Sequence, residues 1–376
     1  MHISVVSALI KLTLISSIFL IYLIRYLLVS MRASFLSLLA LFNSTVSAQE
    51  TGLNIYMWED TLSPNVRSDW ESKSGASLTL SHFDNDDERS LLMMKSIQLP
   101  FDVVVLDNVS AQIYGRLGSF EDLSELKNRS NNDPKWNRAC GQYAVPYFWG
   151  TVGIAYRKDK ISQPPATWQE FVDPPIELFG KIGMINDSVE SFLPVLYSLG
   201  ISPATEDHKQ LQAAYPAMIK FSEKVLTYEY ILSYVRSQEN INQMQMTLAY
   251  SGDQYSLNRS FQQDKWDYVI PEGELFLWVD CLAITSHSEK KEQAFAFLEY
   301  LMSPKVAATN AIDIKAATPN LSATKLLPDW YLNDASLFPP AERIKNARID
   351  SELSAENISL RAKIINQILK RHEAKH

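Results

Sequence analysis

Apolar residues in the first part of this chain fall into short blocks separated by amphipathic stretches. The blocks Leu53–Trp58, Ser77–His82 and Phe101–Leu106 are alternating or continuously apolar, which is typical of strands in a sheet that is buried on one or both faces. The stretch Ser63–Ser74 predicts a helix, because a serine followed by Pro64 is a favourable helix start. A second helix is predicted up to about residue 98. This order of strands and helices predicts an α/β sheet.

The same alternation resumes from residue 145 and predicts a second α/β unit. Strands are predicted at Val145–Tyr156, Lys181–Ile185, Met246–Tyr250, Tyr268–Pro271 and Leu275–Ile284. Helices are predicted from Thr167, where Glu170 completes a capping box, and at Ser188–Leu199, Leu211–Leu226, Glu289–Met302 and the polar tail from Ser336. The chain is therefore expected to contain two α/β units.

The first 48 residues differ from the rest and predict an export signal. An apolar run, Phe35–Phe42, follows a basic start at Arg32 and leads to small residues that end at Ala48, where we expect cleavage. A longer apolar run precedes it, so Met31 is one possible start, with residues 1–30 not translated. The alternative is a single uncleaved membrane anchor. Both interpretations put the body of the protein outside the cytoplasm, in the periplasm.

The net charge of the chain favours some classes of binding partner over others. The chain has 35 Lys+Arg and 43 Asp+Glu, which gives a formal net charge of −8 at pH 7. The leader contains Lys11, Arg25 and Arg32 and no acidic residue, so the remaining chain carries −11. An acidic body lacks the basic stripes that neutralise phosphates, which argues against a nucleic-acid partner. The charge favours a cationic ligand, or simply keeps the protein soluble.

Sequence signatures of common enzymes are missing. No HExxH, GxSxG, P-loop or GxGxxG motif is present, and the histidines are not clustered, so we expect no metal, no cofactor and no enzymatic activity. Asp187 and Glu190, spaced i, i+3 at a predicted helix start, leave a carboxylate-pair hydrolase as an alternative. Compensation of the helix dipole is the simpler explanation of that pair.

The chain has two cysteines, Cys140 and Cys281. An oxidising compartment permits a disulfide, but two cysteines this far apart in sequence do not establish one. Cys281 lies within the apolar run Leu275–Ile284, where a small buried thiol fits well. We therefore expect two free thiols.

Acidic residues beside aromatic ones recur at the ends of predicted strands. The sites are Trp58 with Asp60, Asp107 after Leu106, Asp187 and Glu190 after Ile185, Tyr250 with Asp253, and Trp278 with Asp280. In open α/β sheets, ligands bind outside the carboxyl ends of the strands, so these side chains would converge on one crevice. Ring faces attract cations and carboxylates accept charged N–H donors, which suits a flexible chain of ammonium groups.

Several motifs, taken in order, resemble those of the bacterial periplasmic spermidine/putrescine-binding proteins. The motifs are Tyr56-Met-Trp58, Phe101-Asp-Val-Val-Val105, Val145-Pro-Tyr-Phe-Trp-Gly150, Trp278-Val-Asp-Cys-Leu-Ala-Ile284, Tyr300-Leu-Met-Ser-Pro-Lys-Val306, Ala317-Thr-Pro-Asn320 and Phe338-Pro-Pro-Ala341. The resemblance implies a type II periplasmic-binding-protein fold, with two α/β lobes and a ligand cleft between them. The expected lobes comprise residues 49–152 with 282–330, and residues 153–281 with 331–376.

The resemblance also implies a ligand-binding set. Stacking aromatic residues fall on Trp58, Trp278 and Tyr250, and cleft acids or polar positions fall on Asp60, Asp107, Asp187, Glu190, Asp253, Asp280 and Asp350. Asp107 stands where relatives commonly have serine. Two positions depart from the family pattern, because Thr61 replaces a tyrosine and Ala316 replaces an aromatic residue. These departures predict a wider or differently lined cleft.

The function implied is capture of a polyamine for uptake through an inner-membrane ABC permease. The alternative is a periplasmic polyamine sensor that regulates a membrane-bound signalling enzyme controlling cyclic di-GMP and biofilm formation. Both functions use closure of two lobes around the ligand. Retention of Asp187 together with Glu190 favours a triamine such as spermidine or norspermidine over a diamine such as putrescine.

Overall fold

The computed structural model of this protein describes residues 52–83, 86–95, 99–237 and 241–374. The leader at 1–48 and its predicted cleavage after Ala48 lie outside the described residues. Within the described ranges, none of the helices has the length and apolar character needed to cross a membrane.

Strands and helices alternate through most of the described chain. The strands are β1 (Gly52–Trp58), β2 (Ser77–Phe83), β3 (Val103–Asp107), β4 (Val145–Arg157), β5 (Ile182–Gly183), β6 (Val225–Thr227), β7 (Met246–Tyr250), β8 (Trp266–Val269), β9 (Phe276–Ile284) and β10 (Arg348–Ile349). The helices are α1 (Pro64–Ser74), α2 (Asp86–Lys95), α3 (Asn108–Arg116), α4 (Pro134–Cys140), α5 (Trp168–Val172), α6 (Leu193–Ser198), α7 (His208–Ser222), α8 (Ile231–Ser237), α9 (Asp253–Phe261), α10 (Lys291–Leu301), α11 (Pro304–Ile314), α12 (Leu321–Thr324), α13 (Asp329–Leu332), α14 (Ala341–Lys345) and α15 (Ala355–Glu373). Short 3-10 helices occur at Lys127–Asn131, Ile176–Leu178, Glu190–Phe192 and Ile241–Gln243.

The ten strands of the described ranges form one mixed sheet, in which eight follow the order β2-β1-β3-β9-β4-β7-β5-β6, while β8 pairs with β4 and β10 pairs with β9. β1 is parallel to β2 and β3, whereas β9 is antiparallel to both β3 and β4. The 13-residue strand β4 joins the two halves of the sheet, because its first part pairs with β9 and its second part pairs with β7. The chain therefore passes from one half to the other within a single long strand.

Two large hydrophobic cores lie on the two halves of this sheet. The first core packs residues from β1, β3, the start of β4, β9 and helices α10 and α11. The second core packs residues from the end of β4, β7, helices α6 and α7, and α15 near the end of the chain. A small third cluster surrounds Ala155 and Trp266. The α/β class predicted from the sequence is confirmed, while the predicted lobe boundaries stay a prediction.

Local sequence explains where helices α1 and α7 begin, and sheet pairing explains one further difference from the predicted elements. The side chain of Ser63 accepts the amides of Asn65 and Val66, so α1 begins as predicted. The helix predicted at Leu211–Leu226 instead spans His208–Ser222, because Asp207 accepts the amide of Lys209 and caps an earlier start. The residues after it form β6, which pairs in parallel with β5. Packing in the sheet here overrides the helical pattern.

The expectation of two free thiols is wrong. Cys140, the last residue of α4, forms a disulfide with Cys281 in the middle of β9, across a sequence separation of 141 residues. Both cysteines are fully buried. Helix α4 packs against β4 and β9, which brings the cysteines together in a way that their distance along the chain does not reveal.

Candidate functional site

A cavity of about 810 Å³ is lined by residues from both large cores. It lies at strand ends, since Trp58 closes β1, Asp107 closes β3 and Tyr250 closes β7. All of the site residues predicted from the sequence line this one cavity: Trp58, Asp60, Asp107, Asp187, Glu190, Tyr250, Asp253, Trp278, Asp280 and Asp350. The structure therefore brings the predicted set together, as expected for a crevice at the carboxyl ends of strands.

A chain of aromatic rings follows the wall of this cavity. The ring of Tyr230 lies 6.0 Å from that of Trp58 and 5.7 Å from that of Tyr250, between ring centroids. Tyr250 in turn lies 6.0 Å from Trp278. Tyr230 is not among the predicted residues, and neither are Phe83, Tyr114, Phe148 and Phe276, which also line the cavity.

Trp278 is held by strand β4. Its Nε1 donates to the carbonyl of Thr151 at 3.2 Å. Gly150 makes room for the ring, because a Cβ at that position would lie 2.5 Å from a ring carbon of Trp278. The ring is therefore fixed by a hydrogen bond and by close backbone contact.

Asp107 is paired within the protein. Its Oδ2 accepts from Nη2 of the fully buried Arg89 at 2.6 Å, and its Oδ1 accepts the amide of Ser110 at 2.8 Å. The carboxylate therefore caps α3 and compensates a buried guanidinium. It faces Asp280 across the β3–β9 pair, where Asp280 is 9% exposed.

Asp187 shapes the turn that carries Glu190. Its Oδ1 accepts the amides of Val189 and Glu190 at 2.6 and 2.7 Å. These bonds produce a 3-10 turn before α6, which is why the helix predicted from Ser188 begins later. Asp187 is 7% exposed, and the oxygen that accepts these two amides is therefore buried.

Asp253 is buried at the start of α9, on the cavity wall. Its Oδ1 accepts from the hydroxyl of Tyr230 at 2.7 Å, and its Oδ2 accepts the amide of Tyr250 at 2.9 Å. Burial raises the pKa of Asp253 to about 7, although both hydrogen bonds act in the opposite direction. This carboxyl therefore changes its charge near neutral pH.

The remaining predicted acids lie near the edges of the cavity. Asp60 is exposed and has a left-handed backbone with φ of 59°, in a turn closed by a hydrogen bond from Thr61 Oγ1 to the carbonyl of Trp58. Asp350 follows β10, and its backbone carbonyl accepts from the side chain of Asn108 at 2.9 Å. Thr61 and Ala316 also line the cavity, so small side chains stand where the resemblance implies aromatic ones.

No metal site is assembled by the residues at 52–83, 86–95, 99–237 and 241–374, since no group of three or more His, Cys, Asp and Glu is arranged to hold an ion. The chemistry of the wall is that of rings and carboxylates. It is suited to binding an organic cation.

The sequence matches the family of bacterial extracellular solute-binding proteins over residues 73–339. It is 52% identical over 341 residues to a norspermidine sensor of Vibrio cholerae serotype O1, covering 91% of this chain and 95% of that protein. It is 28% identical over 329 residues to the spermidine/putrescine-binding periplasmic protein of Escherichia coli strain K12, covering 84% of this chain and 92% of that protein.

Two solved proteins of similar fold are also named for spermidine and putrescine. The fold is similar to that of a putative spermidine/putrescine ABC transporter protein from Listeria monocytogenes, with a TM-score of 0.75, 25% identity, and coverage of 85% of this chain and 99% of that one. It is also similar to the spermidine/putrescine substrate-binding protein PotD of Streptococcus pneumoniae, with a TM-score of 0.70, 20% identity, and coverage of 86% and 99%. These likenesses confirm the predicted fold class of two α/β lobes.

Proposed function

Because this chain belongs to the family of bacterial extracellular solute-binding proteins, we propose that it is a periplasmic protein that binds a spermidine-type polyamine between its two lobes. The observation that carries the proposal is the convergence of an aromatic wall and several acidic side chains on one cavity. A polyamine presents ammonium groups spaced along methylenes. Ring faces attract these cations and carboxylates accept their N–H donors.

Isothermal titration of the mature protein tests this function directly. We expect binding of spermidine, norspermidine and putrescine, with the triamines favoured over the diamine. The ligand should be recovered chemically unchanged after long incubation, because the proposal is reversible binding without turnover. Absence of heat with all three amines, under conditions where the protein is folded, would overturn the proposal.

Substitution of Trp278 by alanine or of Asp280 by asparagine should weaken polyamine binding. Each change removes either a ring beside the ligand or one charge-assisted hydrogen bond, at a cost of about 1–3 kcal/mol, or roughly 5- to 150-fold in Kd. The dissociation constants of the folded variants for spermidine, measured by titration, give the result.

Matched controls for these two variants lie on α13. Trp330 is 60% exposed, Asp329 is also exposed, and neither lines the cavity. Trp330→Ala and Asp329→Asn should therefore keep wild-type affinity. If Trp278→Ala or Asp280→Asn behaves like its control, that residue does not contact the ligand.

Two downstream roles share this binding step. The relatives named as spermidine/putrescine-binding proteins support delivery to an inner-membrane ABC permease. The 52% identical relative, a norspermidine sensor, supports reporting to a membrane-bound signalling enzyme. Deletion of the gene in its native host separates the roles. Loss of labelled spermidine uptake supports delivery, whereas intact uptake with a lost cyclic di-GMP response to polyamine supports sensing.

A further inference from the structure

The residue Tyr230 occupies a position in the cavity that the predicted ligand set does not account for. It directly precedes α8 and lines the cavity. Its ring stands between Trp58 of the first core and Tyr250 of the second, and it is the link that makes the aromatic wall continuous. A ligand extended from Trp58 towards Trp278 would pass this ring.

The hydroxyl of Tyr230 is already engaged. It donates to Asp253 Oδ1 at 2.7 Å, and the other oxygen of the same carboxyl accepts the amide of Tyr250. Asp253 therefore serves two neighbouring aromatic residues of the wall. Because the hydroxyl of Tyr230 is bound to Asp253, the part of Tyr230 that can contact a ligand is its ring.

The helix that follows Tyr230 is tied to the opposite side of the cavity. Arg236 on α8 pairs with Glu59, whose carboxylate oxygen lies 3.0 Å from the Arg236 Nε. Glu59 follows Trp58, so two consecutive residues at the end of β1 contact the α8 region, one through rings and one through charges. Tyr230 thus lies where the two sides of the cavity meet.

Other aromatic residues also line the cavity, but Phe83, Phe148 and Phe276 are at most 3% exposed. Thr61 and Ala316 line the cavity with small side chains. Methylene chains pack on rings, and ammonium groups are attracted to ring faces within about 6 Å of the centroid. Trp58, Tyr230, Tyr250 and Trp278 are partly exposed and lie next to one another in this order, so they form a continuous ring surface for such a chain.

Resting on the proposed polyamine binding, we propose that Tyr230 is a further ligand-binding residue whose ring contacts the amine chain, and that Asp253 is a positioning residue that holds Tyr230 through its hydroxyl. This gives Asp253 a role different from that of a direct ammonium acceptor. It also makes Tyr230 a determinant of which amines bind, because a longer amine covers more of the aromatic wall than a short one.

Variants of Tyr230 test the ring. Tyr230→Phe keeps the ring but removes the hydroxyl that Asp253 holds, so it should lose up to about tenfold in spermidine affinity, as Asp253→Ala should, whereas Tyr230→Ala should lose at least about thirtyfold. Tyr230→Leu keeps apolar volume without a ring and should resemble the alanine variant; it also covers the case in which Tyr230→Ala fails to fold. The spermidine-to-putrescine affinity ratio should fall in the ringless variants, which a uniform loosening of the fold would not produce.

Tyr234, on the helix α8 that follows Tyr230, provides the control. Tyr234 does not line the cavity, so Tyr234→Ala should leave the affinity and the ratio unchanged. If the wild type binds spermidine and Tyr230→Leu binds it as tightly as Tyr230→Phe, the inference fails while the proposed function stands. If the wild type binds none of the amines, the proposed function itself fails.

Variants of Asp253 test the positioning role. At pH 8, Asp253→Asn retains an oxygen that accepts from Tyr230 and should bind spermidine within about threefold of the wild type, while Asp253→Ala should lose about tenfold. Combining Asp253→Ala with Tyr230→Leu should add little to the loss caused by Tyr230→Leu alone. If Asp253→Asn loses as much as Asp253→Ala, Asp253 binds an ammonium group directly and the positioning role is wrong.

Discussion

Replacing Cys140 and Cys281 together by alanine is expected to lower the free energy of unfolding by about 2–5 kcal/mol. The bond closes a sequence separation of 141 residues, and a loop of this length falls near the upper end of that range in the chain-entropy description. Both sulfurs are fully buried, so alanine also leaves two small cavities. Urea unfolding at pH 7, followed by far-UV circular dichroism, measures the difference.

Reduction separates the cross-link from the substitutions. Dithiothreitol should lower the urea midpoint of the wild type towards that of the double variant and leave the double variant unaffected. Since the loss is assigned to the cross-link, the folded double variant should still bind polyamine with an affinity close to that of the wild type. A double variant that unfolds at the wild-type midpoint would show that the disulfide contributes little.

The disulfide marks a limit of what the sequence reveals. The strand at Leu275–Ile284 was predicted, and its apolar character identified Cys281 as buried. The packing of α4 against β9 depends on contacts across more than a hundred residues, for which a single sequence holds no pattern. Strand β6 could not be predicted from the sequence for the same reason, because pairing with β5 decides the conformation of Val225–Thr227.

The site was predictable to the extent that it follows from strand ends and from the family resemblance. These placed ten residues on one cavity. Tyr230 was not predicted as a site residue because no strand was predicted before it. The segment Tyr228-Glu-Tyr230 nevertheless repeats the pattern of an acid beside aromatic residues. The roles of the acids were not predictable either, because the partner of Asp107 is Arg89, which is remote in sequence.

The same limit applies to charge. Counting acids gave −11 for the body of the chain, with each carboxylate treated alike. In the fold, Lys224 holds the pKa of Asp173 below its usual value, whereas burial raises the pKa of Asp253. Burial and the nearest partner therefore decide what an acid contributes at neutral pH, and neither is visible in the sequence.

Asp253→Asn is expected to remove a pH-dependent loss of stability. A pKa of about 7 in the folded protein, against an ordinary value of 3.8, means that folding favours the neutral carboxyl. Well below pH 3.8 the group is neutral in both states and costs nothing. As the pH rises to 7 the unfolded chain loses this proton first, and above pH 7 the full difference of about 4 kcal/mol opposes folding. Urea unfolding of the wild type and of Asp253→Asn from pH 4 to pH 8 measures this pH-dependent difference in stability.

The difference in unfolding free energy between Asp253→Asn and the wild type isolates this group, because all other titrating groups are common to both proteins. It should shift by about 4 kcal/mol in favour of the variant between pH 4 and pH 8. The asparagine turns its NH₂ towards the amide of Tyr250, which adds a cost that does not vary with pH. In Asp173→Asn the corresponding difference should stay level from pH 5 to pH 8, because a lowered pKa moves the titration to more acidic pH. A level difference for Asp253→Asn over the same range would mean that Asp253 is ionised throughout, held by Tyr230 and Tyr250 more strongly than burial opposes it.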